Sequence, residues 1–163
     1  MAFRLARLTV ALAFWCGLIS TAGAEQPGAN IHLDVYKSPT CGCCIKWMDH
    51  LSENGITATG RYGDADSGQR LGVPLRYGSC HTGVSGNGFV FEGHVPARYI
   101  RQFLENPPDN ALGLSVPAMP IGSPGMEFRE EFMPYDVLLL HKDGSATVYV
   151  SVASYDEQFE QTE

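Results

Sequence analysis

Three of the five cysteines in the chain lie within four residues, at Cys41, Cys43 and Cys44. Each thiol is a soft metal donor and, once deprotonated, a nucleophile. Cys41 and Cys44 have the C-x-x-C spacing of a dithiol exchanger, but exchange needs only two thiols, so Cys43 is surplus. A lone tetrahedral zinc is usually held by ligands about two to four residues apart, whereas crowded thiolates can bridge several Cu(I) ions. The cluster therefore indicates soft-metal binding or thiol exchange.

The rest of the chain offers a second set of candidate ligands: Cys80, His81, His94 and Met119. Cys80 is a metal ligand, a buried apolar thiol or the partner of Cys43 in a structural disulfide, and the adjacent histidine favours the metal. His81 is a ligand or a group that orients one. His94 alternatively caps or braces the helix that follows it. Met119 is either a ligand or a packing residue.

A strand, a helix and a second strand are predicted to position the cysteine cluster. Residues 31–36 alternate apolar and polar side chains, residues 56–62 form the second strand, and the helix between them starts at the cysteines and ends at Asn54-Gly55. A thiol at a helix N-terminus meets free amides and the positive end of the helix dipole, and both lower its pKa. This βαβ opening would therefore favour the thiolate.

The helix after the cysteines is predicted to be amphipathic. Ile45, Met48 and Leu51 recur at three-residue spacing and should face the core, with His50 among polar residues on the opposite face. Met48 is accordingly read as a packing residue. Trp47 is predicted to pack the helix onto the core, where it would also limit solvent access to the thiols.

The order of the predicted elements indicates an α/β fold of the thioredoxin-like type. It would be a single domain with an inserted Gly-rich segment, residues 63–88, between the βαβ opening and the C-terminal hairpin. In that fold a later loop carries a cis proline facing the cysteines, and Met119-Pro120 is the candidate for that bond. The other predicted elements are a strand at 89–92, a helix from about Val95 to Leu104, hairpin strands at 135–140 and 146–152, and a frayed tail from Asp156.

The first 24 residues predict an export signal that is cleaved near Ala24. Arg4 and Arg7 precede an apolar run shorter than the roughly 20 residues of a membrane span, which ranks a retained anchor lower. Residues 25–163 would then be one periplasmic domain, with no stable membrane insertion after cleavage. The formal charge of −7 becomes more negative without the two arginines and argues against nucleic acid as a partner.

Five motifs spread over most of the chain carry a family resemblance: Cys41-Gly42-Cys43-Cys44 with Trp47, Ser79-Cys80-His81-Thr82, Glu92-Gly93-His94-Val95-Pro96-Ala97, residues 116–127, and Tyr135-Asp136-Val137-Leu138-Leu139. Together they resemble the CopG-type family of periplasmic metal-binding proteins, long described as a domain of unknown function and associated with bacterial copper resistance. The resemblance implies a thioredoxin-like fold that binds copper in a redox-active, multinuclear thiolate cluster. The implied ligands are Cys41, Cys43, Cys44 and Cys80, with His81, His94 and Met119 around them. Ala118 departs from the family pattern, in which glycine is expected at this position.

Three hypotheses follow for the function. The favoured one is a periplasmic protein that sequesters or redox-handles Cu(I), with copper ions and periplasmic copper-efflux or copper-oxidising proteins as partners. The second is a thiol-disulfide oxidoreductase in which Cys41 is the nucleophile and Cys44 resolves the mixed disulfide. The third is a purely structural role, in which two disulfides hold a small exported domain together. Softness favours copper or silver over zinc as the cargo.

Overall fold

The computed structural model describes residues 31–62 and 67–159. The predicted export signal lies outside these residues, as do residues 63–66 and 160–163. No helix within the described ranges is long and apolar enough to cross a membrane.

Seven strands of the described chain form one mixed sheet in the order β2-β1-β3-β4-β5-β6-β7. β1 pairs parallel with β2 and β4 with β5, and the other neighbours are antiparallel. The mixed α/β class is confirmed, and the thioredoxin-like assignment stays a prediction. The elements are β1 (His32–Lys37), α1 (Gly42–Glu53), β2 (Thr57–Tyr62), α2 (Ser67–Arg70), a 3-10 turn (Leu75–Tyr77), β3 (His81–Ser85), β4 (Val90–Gly93), α3 (Ala97–Glu105), β5 (Ala111–Val116), β6 (Tyr135–His141), β7 (Ala146–Val152) and a second 3-10 turn (Asp156–Gln158).

The predicted βαβ opening is confirmed by β1, α1 and β2. α1 starts directly after Cys41 and ends at Glu53, with Asn54 as its C-cap. The predicted hairpin is also confirmed, since β6 and β7 are antiparallel neighbours.

The main core lies between one face of the sheet and the helices α1 and α3. Trp47 and Leu51 of α1 are fully buried there, together with Ile100 and Phe103 of α3. Successive side chains of a strand point to opposite faces. A second, smaller cluster, built around Val73, Val90 and Leu140, therefore covers the other face.

The buried face of α1 is only partly the predicted one, since Leu51 lies in the core as predicted. Ile45 is 47% exposed, whereas His50 is buried, so the prediction of a surface His50 is wrong. The imidazole Nε2 of His50 accepts a hydrogen bond of 3.0 Å from the amide of Ala97, the first residue of α3. Pro96 before it has no capping side chain, so His50 caps the neighbouring helix. Met48 is partly buried against the core, as predicted.

The Gly-rich segment is more than an insertion, because it contains β3. This strand lies between β1 and β4 near the centre of the sheet. Its sequence, His81-Thr82-Gly83-Val84-Ser85, has one large apolar residue and therefore no alternating pattern. β5 is a second strand that the sequence pattern did not predict.

The prediction of a frayed tail is wrong for residues 156–159. Gln158 is buried. Its Oε1 accepts a hydrogen bond of 2.6 Å from the Tyr135 hydroxyl, and its Nε2 donates one of 3.0 Å to the Gly122 carbonyl. The C-terminal turn is thereby fixed to the loop between β5 and β6.

Candidate metal centre

The strand register brings the two cysteine segments to one end of the sheet. β1 ends at Lys37, which pairs with His81 at the start of antiparallel β3. The turn from Ser38 to Cys41 therefore leaves the sheet where Cys80 enters it. β4 also ends here, since Glu92 pairs with Thr82. Residues far apart in sequence thus meet at the same end of the sheet.

Cys41 is the N-cap of α1. Its Sγ accepts a hydrogen bond of 3.3 Å from the amide of Cys44, and its carbonyl accepts the first helical bond from Ile45. A helix start leaves free amides that stabilise negative charge. The cysteines therefore occupy the predicted position, where a thiolate is favoured.

Cys41 and Cys44 form a disulfide. Among the described cysteines, Cys43 and Cys80 remain free thiols. The Sγ atom of Cys43 lies 3.5 Å from that of Cys41 and 3.7 Å from that of Cys80. A disulfide sulfur is not a thiolate, so all four sulfurs can bind a metal ion only after this bond is reduced. The alternative of a structural Cys43–Cys80 disulfide is not what the structure has.

Cys80 completes the sulfur cluster. Its Sγ is also 3.7 Å from the Sγ of the fully buried Cys44. The four cysteine sulfurs all lie within 4.8 Å of one another, which is close enough for shared metal ions. Burial raises the pKa of the Cys80 thiol to about 12, and the nearby Cys43 sulfur acts in the same direction. A metal ion must therefore displace a proton from Cys80 at neutral pH.

Two buried imidazoles flank Cys80 and form a second donor group with it. His94 Nδ1 donates to the Pro124 carbonyl over 2.8 Å, which leaves Nε2 unprotonated and 3.3 Å from the Cys80 sulfur. His81 Nδ1 lies 3.2 Å from the same sulfur. The two rings meet edge to face with centroids 4.9 Å apart. Cys80 therefore belongs to both sets of donors, the four cysteines and the set of Cys80, His81 and His94.

The protonation of both histidines suits metal binding. Burial, reinforced for His81 by the neighbouring His94, holds the pKa of His81 well below its usual value, and burial lowers the pKa of His94. Both rings are therefore neutral at neutral pH, as a ligand must be. Within the described part of the chain, Nε2 of His81 is buried without a hydrogen-bond partner. The other nitrogen, Nδ1, faces the Cys80 sulfur and is the atom of His81 available to a metal ion there.

Trp47 closes the inner side of the site. Its Nε1 donates to the Val95 carbonyl over 2.9 Å, and its ring lies 4.3 Å from the ring of His81. The prediction that Trp47 packs the helix onto the core is confirmed, and the indole also contacts one of the candidate ligands. It thereby keeps water from this side of His81.

The loop between β5 and β6 covers the start of α1 and also carries Met119. Met119 is 48% exposed. None of the peptide bonds in residues 31–62 and 67–159 is cis, so the expectation of a cis bond before Pro120 is wrong. Ala118, where glycine was expected, has a φ of 60° in the left-handed region. The chain therefore turns at Ala118, which adopts a strained left-handed conformation, and the peptide bond before Pro120 is trans.

Gly125 of this loop packs directly on the start of α1. A Cβ atom at Gly125 would lie 2.7 Å from the Cys43 carbonyl and 2.8 Å from the Trp47 amide, and its φ is 87°. No larger residue fits that approach. A cleft of about 470 Å³ remains beside Cys43, lined by Gly42, Cys43, Lys46, Ile121, Gly125, Met126, Glu127 and Phe128. The cleft gives solvent and ions access to the Cys43 thiol.

Sequence reasoning missed two contributors to this arrangement. The Pro124 carbonyl fixes the orientation of His94 and lies 30 residues away from it. Glu92 hydrogen-bonds to the residues on both sides of the Cys80-His81 pair. Neither contact has a local sequence signal, although Glu92 belongs to one of the motifs that carried the family resemblance.

A site of this kind defines a class of protein, one with a compact cluster of thiol and imidazole groups. A family model described as "Protein of unknown function, DUF411" matches residues 77–126. The chain is similar to the solved structure "Copper resistance protein copG- Form 1", with 41% identity and a TM-score of 0.69 over 76% of this chain and 98% of that chain. For "Copper resistance protein copG- Form 2" the values are 42%, 0.68, 75% and 98%. No curated protein matches the chain.

The chain belongs to the CopG family. This confirms the family resemblance carried by the five motifs.

Proposed function

We propose that this protein binds Cu(I) through Cys41, Cys43, Cys44 and Cys80, sequesters it or handles it in a redox reaction, and contributes to copper resistance. The observation that carries the proposal is the cluster of four cysteine sulfurs within 4.8 Å of one another. Two similar structures are those of copper resistance proteins, which supports copper as the cargo. Export to the periplasm and a thioredoxin-like fold belong to the proposal as expectations.

The chemistry of the donors favours a soft monovalent ion. Thiolate sulfur binds Cu(I) in preference to harder ions. Four thiolates would neutralise four Cu(I) ions, so a multinuclear cluster would leave little uncompensated charge in a partly buried site. His81 and His94 would bind or orient ions on the Cys80 side, whereas the exposed Met119 would at most receive ions at the rim.

Copper loading would depend on the redox state of the thiols. The Cys41–Cys44 disulfide must accept two electrons and two protons to become two thiols, and these must lose their protons to bind metal. In the disulfide state Cys80, His81 and His94 remain together as a smaller donor group. We therefore expect the reduced protein to hold more copper, and to hold it more tightly, than the disulfide form.

The decisive experiment is an anaerobic Cu(I) titration of the fully reduced protein against a chromophoric chelator. We expect several Cu(I) ions per chain, and fewer in each of the variants Cys41→Ser, Cys43→Ser, Cys44→Ser and Cys80→Ser. Met133→Leu is the control, because this methionine is exposed and is not among the proposed ligands. Substoichiometric copper that the chelator removes easily would refute the proposal.

Thiol-disulfide exchange is the second candidate, because a disulfide spans the start of α1. It predicts reductase or isomerase activity that survives Cys43→Ser and Cys80→Ser but not Cys41→Ser. A copper site predicts loss of copper in all of these variants and no exchange activity in the parent. The two functions are thus separated by the same set of proteins.

A further inference from the structure

Glu92 on β4 is a buried carboxylate that the copper-binding proposal does not use. It is 3% exposed. Its Oε1 accepts a hydrogen bond of 2.6 Å from the backbone amide of Ser79, and its Oε2 accepts one of 2.6 Å from the hydroxyl of Thr82. Ser79 directly precedes Cys80, and Thr82 directly follows His81. The two carboxylate oxygens therefore hold both ends of the segment that carries this ligand pair.

We propose that Glu92 is a positioning residue of the metal centre, which fixes the Cys80-His81 pair by hydrogen-bonding to Ser79 and Thr82. The proposal rests on the proposed copper function, since it concerns the same site. Neither of its two hydrogen bonds is to a sulfur or an imidazole, so Glu92 acts through the backbone and hydroxyl on either side of the ligands. Buried hydrogen-bonded groups of this kind orient ligands in many metal sites.

The Glu92 side chain is closely packed on the side of Gly68, although it also borders a cavity of about 280 Å³. A Cβ atom at Gly68 would lie 2.7 Å from its Oε2 and 2.9 Å from the Thr82 hydroxyl oxygen, so the chain passes over the carboxylate with no space to spare. Ser79 is held a second time, because its hydroxyl donates a hydrogen bond to the Ala118 carbonyl. Glu92 therefore supplies one of two hydrogen bonds that fix Ser79, and without it the chain next to Cys80 is held on this side only by the bond to Ala118.

The position of Cys80 can be measured without copper. In the disulfide form the two free sulfurs, those of Cys43 and Cys80, are 3.7 Å apart. A diazenedicarboxamide oxidant takes two electrons and two protons from this thiol pair, becomes the hydrazine, and leaves a Cys43–Cys80 disulfide. The rate of this reaction depends strongly on how closely the sulfurs approach. It therefore reports the placement of Cys80.

Two substitutions of Glu92 separate the effect of side-chain length from the effect of charge. Glu92→Asp keeps the charge but shortens the side chain by one methylene, so it cannot reach both partners. Glu92→Gln keeps the reach, since its carbonyl oxygen can accept from Ser79 and its amide can donate to the Thr82 hydroxyl. Glu53→Asp, at the exposed end of α1, is the matched control.

We expect Glu92→Asp to slow cross-linking about tenfold or more and to weaken Cu(I) binding about 10- to 100-fold. The cross-linking rate and the Cu(I) affinity of Glu92→Gln and of the control should stay within about threefold of the parent values, since neither substitution removes the hydrogen bonds to Ser79 and Thr82. The proposal is overturned if Glu92→Asp cross-links and binds copper as the parent does. It is also overturned if the cross-linking rate and Cu(I) affinity of Glu92→Gln fall as far as those of Glu92→Asp.

Two outcomes need separate treatment. If circular dichroism shows that Glu92→Asp is unfolded, Thr82→Val replaces it; slower cross-linking then supports the proposal and the parental rate overturns it. If the parent binds no copper, the copper function fails, but the cross-linking rates still decide the role of Glu92. The two failures are therefore distinguishable.

Discussion

The cap that His50 provides for α3 predicts a specific loss of stability in acid. Nε2 of His50 accepts a hydrogen bond from the Ala97 amide, which only the neutral imidazole can do. Burial lowers the pKa of His50 from 6.5 to about 4, with Glu127 acting weakly in the opposite direction. In the unfolded chain the ring keeps an ordinary pKa near 6.5. Between these two values the unfolded state binds a proton that the folded state does not.

The sign and size of the effect follow from this difference. Because the pKa is lower in the folded state, the stabilisation is fully present above about pH 6.5 and is lost as the pH falls toward about 4. The free energy of unfolding should fall by about 2 kcal/mol between about pH 8 and 5, and by about 3 kcal/mol by about pH 4. Domains of this size are stable by about 5–15 kcal/mol, so the loss is measurable.

The assay compares urea unfolding of the parent and of His50→Gln at several pH values, in metal-free protein with the Cys41–Cys44 disulfide intact. Glutamine can accept the Ala97 hydrogen bond but does not titrate. The low pKa values of His81 and His94 contribute equally to both proteins and cancel. We expect the parent to lose about 3 kcal/mol more than His50→Gln between about pH 8 and 4. Equal losses in the two proteins would refute the reasoning.

Three further substitutions test the loop and the inner wall of the site. Ala118→Gly removes strain at a φ of 60° and should raise the free energy of unfolding by about 0.5 kcal/mol after the entropic cost of glycine; a lower value in urea unfolding contradicts this. Gly125→Ala introduces a Cβ 2.7 Å from the Cys43 carbonyl. It should lower the free energy of unfolding by about 2 kcal/mol or more and weaken Cu(I) binding in the chelator competition. Parental values of both quantities would show that the loop is not packed as described. Trp47→Phe leaves the Val95 carbonyl unsatisfied and should lower the free energy of unfolding by about 1–3 kcal/mol, with an unchanged urea midpoint as the contrary result.

The sequence predicted those parts of the molecule that depend on neighbours in the chain. The cysteines at the start of α1, its end at Asn54 and the β6–β7 hairpin all follow from local rules for caps and turns. β3 and β5 were not predicted because both faces of these strands are buried, which removes the apolar–polar alternation.

The sequence identified the cysteines of the candidate site, but it identified the residues around them less well. Cys80 and His81 were found because their side chains are chemically conspicuous. His50 was misplaced because the acceptor role that makes its burial favourable involves Ala97, 47 residues away. The orientation of His94 depends in the same way on Pro124. Partners of this kind become visible only when the chain is folded.

The hydrogen bond from Gln158 to Gly122 has a consequence for the order of events during biosynthesis. It secures the loop whose Gly125 lies over Cys43, yet it comes far downstream of the cysteines. A chain made from its N-terminus therefore contains Cys41, Cys43 and Cys44 before the residue that secures the covering loop has been synthesised. Until Gln158 is in place the thiols lack this part of their cover, and they meet whatever oxidants, chaperones or ions surround the chain.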